Sequence, residues 1–254
     1  VPIQLVEAQR LYQHVAEQIG GLIQAGEFRV GARLPPEREL AKQLGVSRPV
    51  VREAMIALEI AGLVDVRGGA GAFVKRARAD AGSLLAAAAD PGPGPFDLIA
   101  ARQMLEGEIA FAAAAKVTPT NLHSLTEAID QMRADIEVGR DTRQSDRLFH
   151  LRVAELTGNA VLSGLVDGLW AHMLAPMFDV LGRHAGLRGE DRMTIADHQQ
   201  IVEALGRRDP AGARAAMRAH LAHVEEILMR EDLEDAEAHY TGPPEDGSPG
   251  QARR

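Results

Sequence analysis

The chain has 254 residues, a formal net charge of −8 and no cysteine. That length leaves room for one large domain or two modest ones, and the absence of thiols excludes disulfides and thiolate metal sites. No apolar run approaches the ~20 residues of a membrane span, and with aromatic residues at 4% of the chain, stacking on exposed bases is a poor candidate for its chemistry. The opening VPIQLVEAQRLYQHV lacks a basic flank followed by an apolar core, so no secretory signal is read there and a cytoplasmic protein is expected.

The stretch 34–74, LPPERELAKQLGVSRPVVREAMIALEIAGLVDVRGGAGAFV, reads as helix, tight turn, helix and glycine-tipped hairpin. That order describes a winged helix-turn-helix, whose second helix enters the DNA major groove. A short helix over 37–44 follows Pro35 and Pro36, and Gly45 ends it in a left-handed conformation. Ser47 is expected to cap the second helix through its hydroxyl. Val50, Val51, Ala54, Leu58 and Ala61 form the apolar stripe of that helix. Arg48 and Arg52, four residues apart, share a face and are expected to point outward with Arg38. Gly62 stops the helix, and 63–67 and 72–75 are the wing strands. At the bend, Arg67, Gly68 and Gly69 offer a tip whose backbone can approach DNA closely. The alternative is a small helical domain with a solvated arginine face; the ordered set of signals favours DNA.

The charge divides unevenly. Residues 1–75 hold nine Lys and Arg against eight Asp and Glu, whereas residues 76–254 hold nineteen against twenty-eight. A nearly neutral head binds DNA weakly alone, so a homodimer on a palindromic operator is expected. A linker is expected over 76–95, where the chain turns small and then Pro/Gly-rich. From Phe96 everything reads helical: 96–116, a helix opened by Thr118 or Thr120, one begun by Asp141 or Thr142, one capped by Asn159 and interrupted by Pro176, and a pair, 190–208 and 210–230, meeting at Asp209-Pro210. The charged, Pro/Gly-rich tail 233–254 is expected to be disordered. The fold class expected is therefore mainly α: a winged helix-turn-helix of three helices plus a β-hairpin over 1–75, then an all-α bundle over 96–232.

Asp146 and His150 lie four apart on one helix, and His198 and His220 sit on the last two helices, in line with apolar neighbours. Three imidazoles and a carboxylate converging in a bundle suit a borderline divalent ion and are too nitrogen-rich for calcium or magnesium. Spacing by itself leaves a polar Asp146–His150 pair with ordinary core histidines ahead of a metal site, with His223 as another partner of the set.

The whole pattern resembles the GntR superfamily of bacterial regulators. Its helical part is similar to the all-helical FCD ligand-binding domain of the FadR-type branch, through ARQMLEGEIAFAAAA, SDRLFHLRVAELTGN, DHQQIVEAL and AMRAHLAHV. The resemblance covers about 8–230 and implies a divalent metal, zinc first and nickel, iron or manganese as alternatives, held by Asp146, His150, His198 and His220. It implies DNA contacts by Arg38, Ser47, Arg48 and Arg52 with the wing tip at Arg67, Gly68 and Gly69, and effector binding by Arg102. Within the branch, RLYQHVAEQI, SRPVVREAMIALEIAGLVDVR, GPFDLIAARQMLE and RRDPAGARAAMRAHL are similar to hexuronate-pathway repressors. A divalent ion with one Asp and neutral imidazoles carries a single net positive charge, and Arg102 adds a second, so a small carboxylate such as a sugar acid is the expected effector. The surface alternative for Arg102 is an ion pair with Glu106. The competing class, a metal-dependent enzyme acting on a sugar acid, lacks a general base beside the ligand set or a nucleophile motif. The expectation is a DNA-binding repressor, not an enzyme and not a membrane protein.

Overall fold

Glycines set the ends of the two DNA-side helices. In the computed structural model, which describes residues 10–68, 70–77, 92–187 and 191–230, Gly45 (φ 68°) closes α2 (Glu37–Leu44) and Gly62 (φ 75°) follows α3 (Arg48–Ile60). Both are left-handed positions that a side chain would strain. Gly69, most of the expected linker and the tail at 233–254 lie outside the described residues.

A helix precedes this pair. α1 (Leu11–Ala25) buries Tyr12, Val15, Ala16, Ile19 and Ile23 against α3. The wing pairs β1 (Val64–Arg67) antiparallel with β2 (Gly71–Val74), in the register Val64↔Val74 to Arg67↔Gly71. A single bridge from Arg33 to Phe73 adds a third edge. The head thus has the expected three helices and hairpin. One local expectation fails: Ser47 occupies the N-cap of α3 but its side chain makes no capping bond. Pro49 in the first turn of α3 lacks an N–H, which removes one of the donors a capping hydroxyl could accept from.

The second part is all helical among the described residues. It comprises α4 (Pro95–Ala114), α5 (Pro119–Glu137), α6 (Arg143–Glu155), α7 (Ala160–Met173), α8 (Pro176–His184), α9 (Asp191–Gly206) and α10 (Pro210–Met229). Local chemistry marks several starts. Thr118 and Asn121 form a reciprocal capping box for α5, Asn159 accepts from Val161 N–H at α7, and Asp209 accepts from Gly212 N–H at α10. Pro176 separates α7 from α8 at a bend of 64°. No single described helix is long and apolar enough to cross a membrane.

α4 is the spine. Its Ala110, Ala113 and Ala114 are buried, and at Gly107 a Cβ would press on Arg218 of α10 at 2.9 Å. Small residues along this face allow α10 to lie close against α4 and to bury Ala213, Met217 and Leu221.

The two parts are docked through α3. Its residues from Val51 to Leu58 are all buried, charged ones included, because one side faces α1 and the other faces α8 and the ends of α4 and α10. Glu53 accepts from the backbone N–H of Phe96 (3.0 Å), at the start of α4, where Gly94 is needed because a Cβ would run into the carboxylate. Burial pushes the Glu53 carboxyl up to about 7, against the pull of that hydrogen bond and with a further push from Asp97.

A carboxyl raised in the folded state holds its proton more tightly there than in the unfolded chain. Its contribution is fully present below the ordinary value of 4.5 and is lost as pH rises through about 7. The Glu53→Gln variant is expected to lose less thermal stability than the parent between pH 5 and pH 8. Tm measured across that range checks it; parallel curves would show that Glu53 is not held in this buried contact.

Candidate metal centre and DNA-reading helix

Four potential ligands from three helices meet in the bundle. α6 supplies Asp146 and His150, α9 supplies His198 and α10 supplies His220, and one ligand atom from each lies within 4.8 Å of all the others. The three histidines are 0–1% exposed. His150 Nε2 is 3.2 Å and His198 Nε2 is 3.0 Å from the same Asp146 Oδ1. None of these three atoms has a hydrogen-bond partner, and all are buried. Inward-facing polar atoms left unsatisfied at close quarters are costly in an apolar interior and fit a shared cation.

The outer partners orient the rings. His198 Nδ1 faces the Thr194 carbonyl at 2.6 Å, and His150 Nδ1 is hydrogen-bonded to Glu106. In both residues this leaves Nε2 for the centre, the arrangement in which a second contact sets the tautomer of a metal-binding histidine. Nδ1 of His220 lies 3.6 Å from Asp197, which also meets His223 at 2.9 Å. Burial works against ionisation of Asp146, but its contacts with His150 and His198 prevail and hold its carboxyl well below the usual range. Burial, reinforced by the neighbouring His198, pushes His220 down to about 3, so it is neutral and able to donate its lone pair. For His150, burial is outweighed by Glu106, and its value rises.

Arg102 lies beside this cluster and is 1% exposed. The pair that its spacing allows with Glu106 is formed at 2.6 Å, but in the interior and not at the surface. Burial of Glu106 is overcome by Arg102 and His150, which hold its carboxyl down at about 2. Its negative charge therefore offsets that of Arg102, and the second positive charge expected from sequence is partly cancelled. The Nη2 of Arg102 has no hydrogen-bond partner. Its guanidinium stacks 4.4 Å over the ring of Trp170 from α7, which is 5.5 Å from the His150 ring. Sequence reasoning missed Glu106 as a ligand-orienting group, and missed Asp197 and Trp170. The available signals were Glu106 one turn from Arg102, Asp197 adjoining His198, and the lone tryptophan of the chain. Of the remaining histidines, His123 is exposed and His184 binds Glu59 of α3 at 2.7 Å.

On the DNA side the candidates separate. Arg38 on α2, Ser47, Arg67 and Gly68 are exposed, and Arg48 is half-buried in the first turn of α3. Arg67 stacks 4.5 Å over Phe73 and pairs with Asp65. Arg52 departs from expectation. Only 2% exposed, it is turned inward to Glu37 (2.9 Å) and donates to the carbonyls of Leu228 (2.7 Å) and Arg230 (3.3 Å) at the end of α10. The carbonyls ending a helix lack intrahelical donors and carry partial negative charge, so a guanidinium is drawn to them. The outward face assigned to Arg52 from spacing omitted this partner, which is more than 170 residues away in sequence.

The model for bacterial regulatory proteins of the gntR family matches residues 11–74, and that for the FCD domain matches residues 97–223. The chain is 37% identical over 92% of its length to the Exu regulon transcriptional regulator of Escherichia coli (strain K12), covering 91% of that protein.

The chain belongs to the GntR family of bacterial regulators.

Two further relatives of this GntR protein come from the same organism. The Uxu operon transcriptional regulator is 38% identical, with 87% of this chain and 88% of that one covered. The putative L-lactate dehydrogenase operon regulatory protein is 32% identical, with 91% and 92% covered. This GntR protein is a DNA-binding transcriptional regulator with an FCD domain, and not an enzyme.

About one divalent ion per chain is expected to survive dialysis. The His198→Ala, His220→Ala double variant should lose it, and the parent should lose thermal stability on chelation, because the ion binds only the folded state. Elemental analysis and melting curves measure both; full occupancy in the double variant would move the site elsewhere.

Proposed function

We propose that this regulator is a homodimeric repressor whose helical part holds a divalent ion, zinc first, and senses a small carboxylate, most closely a hexuronate. The observation that carries the reading is the set of buried atoms without partners: Asp146 Oδ1, His150 Nε2 and His198 Nε2 on one side, Arg102 Nη2 on the other. A cation and a buried guanidinium donor near each other call for an anion as partner. The ion would be held by Asp146, His150, His198 and His220, and would supply electrostatic attraction for the effector carboxylate. The names of the Exu and Uxu relatives support a sugar acid, in keeping with the likeness to hexuronate-pathway repressors. The L-lactate dehydrogenase operon relative supports the wider class of hydroxy acids.

The reading assigns 1–75 to the DNA head, 76–95 to a linker, 96–232 to the sensor and 233–254 to a tail. The protein acts in the cytoplasm, on a palindromic operator. Arg38, Ser47, Arg48 and the wing tip at Arg67, Gly68 and Gly69 meet DNA directly. Arg52 joins them only when the end of α10 releases it. The sensor can bias that release because α10 carries His220 and α4 carries Arg102, and both helices end against α3. An effector shifts DNA binding only if its affinity differs between the docked and released arrangements. A coupling of ~1–3 kcal/mol is typical of such switches.

Arg102→Ala is expected to keep operator affinity and to lose the response to galacturonate or glucuronate, read by gel shift with and without acid. A normal response in that variant would remove Arg102 from the effector site. In the head, Arg48→Ala should weaken operator binding by ~1–3 kcal/mol per contact. Arg52→Ala should also lower Tm, since breaking a buried charge pair costs ~3–5 kcal/mol. Equal melting temperatures for the parent and Arg52→Ala would contradict the buried position.

A further inference from the structure

We infer that Trp170 is a specificity residue of the sensor: its indole N–H and the Nη2 of Arg102 form a two-donor clamp for the carboxylate of the effector. This rests on the reading of the sensor as a receptor for a small carboxylate.

Trp170 is 1% exposed, and its Nε1 has no hydrogen-bond partner. An indole nitrogen can only donate, and a buried donor left unmade costs about as much as a lost hydrogen bond. Arg102 presents a second unmade donor, Nη2, with its Nε committed to Glu106. The guanidinium carbon stands 4.4 Å from the indole centroid, so the two unmade donors belong to side chains in direct contact. The His150 ring, 5.5 Å from the indole on its other contact, places that group next to the four-ligand cluster.

Two adjacent donors, each lacking an acceptor, select an oxygen or oxygen pair carrying negative charge. A carboxylate offers about four acceptor positions, enough for the clamp on one side and a cation on the other. A neutral sugar hydroxyl must keep one proton as a donor and has no charge for the guanidinium. The Arg102–Trp170 stack also holds the guanidinium plane against the ring, which aligns Nη2 before the ligand arrives. The clamp thus discriminates acid from neutral sugar by its two donors and the charge of the guanidinium.

The test uses the zinc-loaded full chain with galacturonate, glucuronate, lactate and glucose as probes. Trp170→Phe keeps an aromatic ring under Arg102 and deletes the donor together with part of the ring, so the indole resonance of the parent serves as the control that no substitution affects. The variant is expected to bind the preferred acid roughly ten- to a hundred-fold more weakly by calorimetry while retaining its zinc, the loss appropriate to one hydrogen bond to a charged acceptor. Because the chain contains one tryptophan, the parent protein gives a single indole N–H resonance. That resonance should move downfield on addition of the acid and stay in place with glucose, a readout independent of any variant. An acid that binds the parent without moving the indole proton, or that binds Trp170→Phe as tightly, overturns the clamp and leaves the carboxylate reading intact. A parent that binds none of the acids overturns that reading, and the clamp with it.

Discussion

A chain of buried charge runs through the centre of the helical part, and the arrangement of its helices depends on it. Glu106 lies in the middle, between Arg102 at 2.6 Å and His150. His150 faces Asp146, which faces His198 in turn. Isolated, any one of these charges would be expensive to remove from water. Together they are tolerable only if α4, α6, α9 and α10 all reach the same point. Glu106 serves both ends of the chain: it neutralises Arg102 and orients the ring of His150 so that Nε2 looks toward the cluster. Phe149 and Trp170 surround the rings with apolar surface, with the Phe149 and His198 centroids 4.4 Å apart, which keeps the dielectric low and the interactions strong.

The second constraint is the position of α3. In a free-standing DNA head this helix would bury one stripe and expose the rest. Here it is enclosed, because it also forms the seam with the helical part. Arg52 meets carbonyls at the end of α10, Glu53 accepts the Phe96 N–H at the start of α4, and Glu59 meets His184 of α8. Each of these contacts uses a helix end or a charged partner, and beside them Met55 and Ile56 of α3 are buried close to Leu181 of α8 and Leu228 of α10. Two of the three helices tied at this seam, α4 and α10, carry Arg102 and His220.

The head and the order of helices were legible because their signals are local. Gly45, Gly62, Asn159, Thr118 and Asp209 act within a few residues of themselves, and the glycine-tipped hairpin closes over a handful more. The four-residue cluster was legible only through resemblance. Spacing puts Asp146 and His150 on one face, but nothing within α9 or α10 distinguishes His198 and His220 from core histidines. Asp197 beside His198 and the single Trp170 were visible, but a lone aromatic and an acid on amphipathic helices look like ordinary packing and ordinary surface.

The amino-acid sequence by itself determined the element types, their boundaries to within a few residues and the division of charge between head and sensor, since propensity, capping and periodicity depend on near neighbours. Tertiary structure decided which polar groups lost water together. Whether Arg52 faces DNA or the end of α10, whether Arg102 and Glu106 pair outside or inside, and whether an indole N–H meets an acceptor are all questions of desolvation. Desolvation is set by segments tens to hundreds of residues away, and no local pattern encodes it.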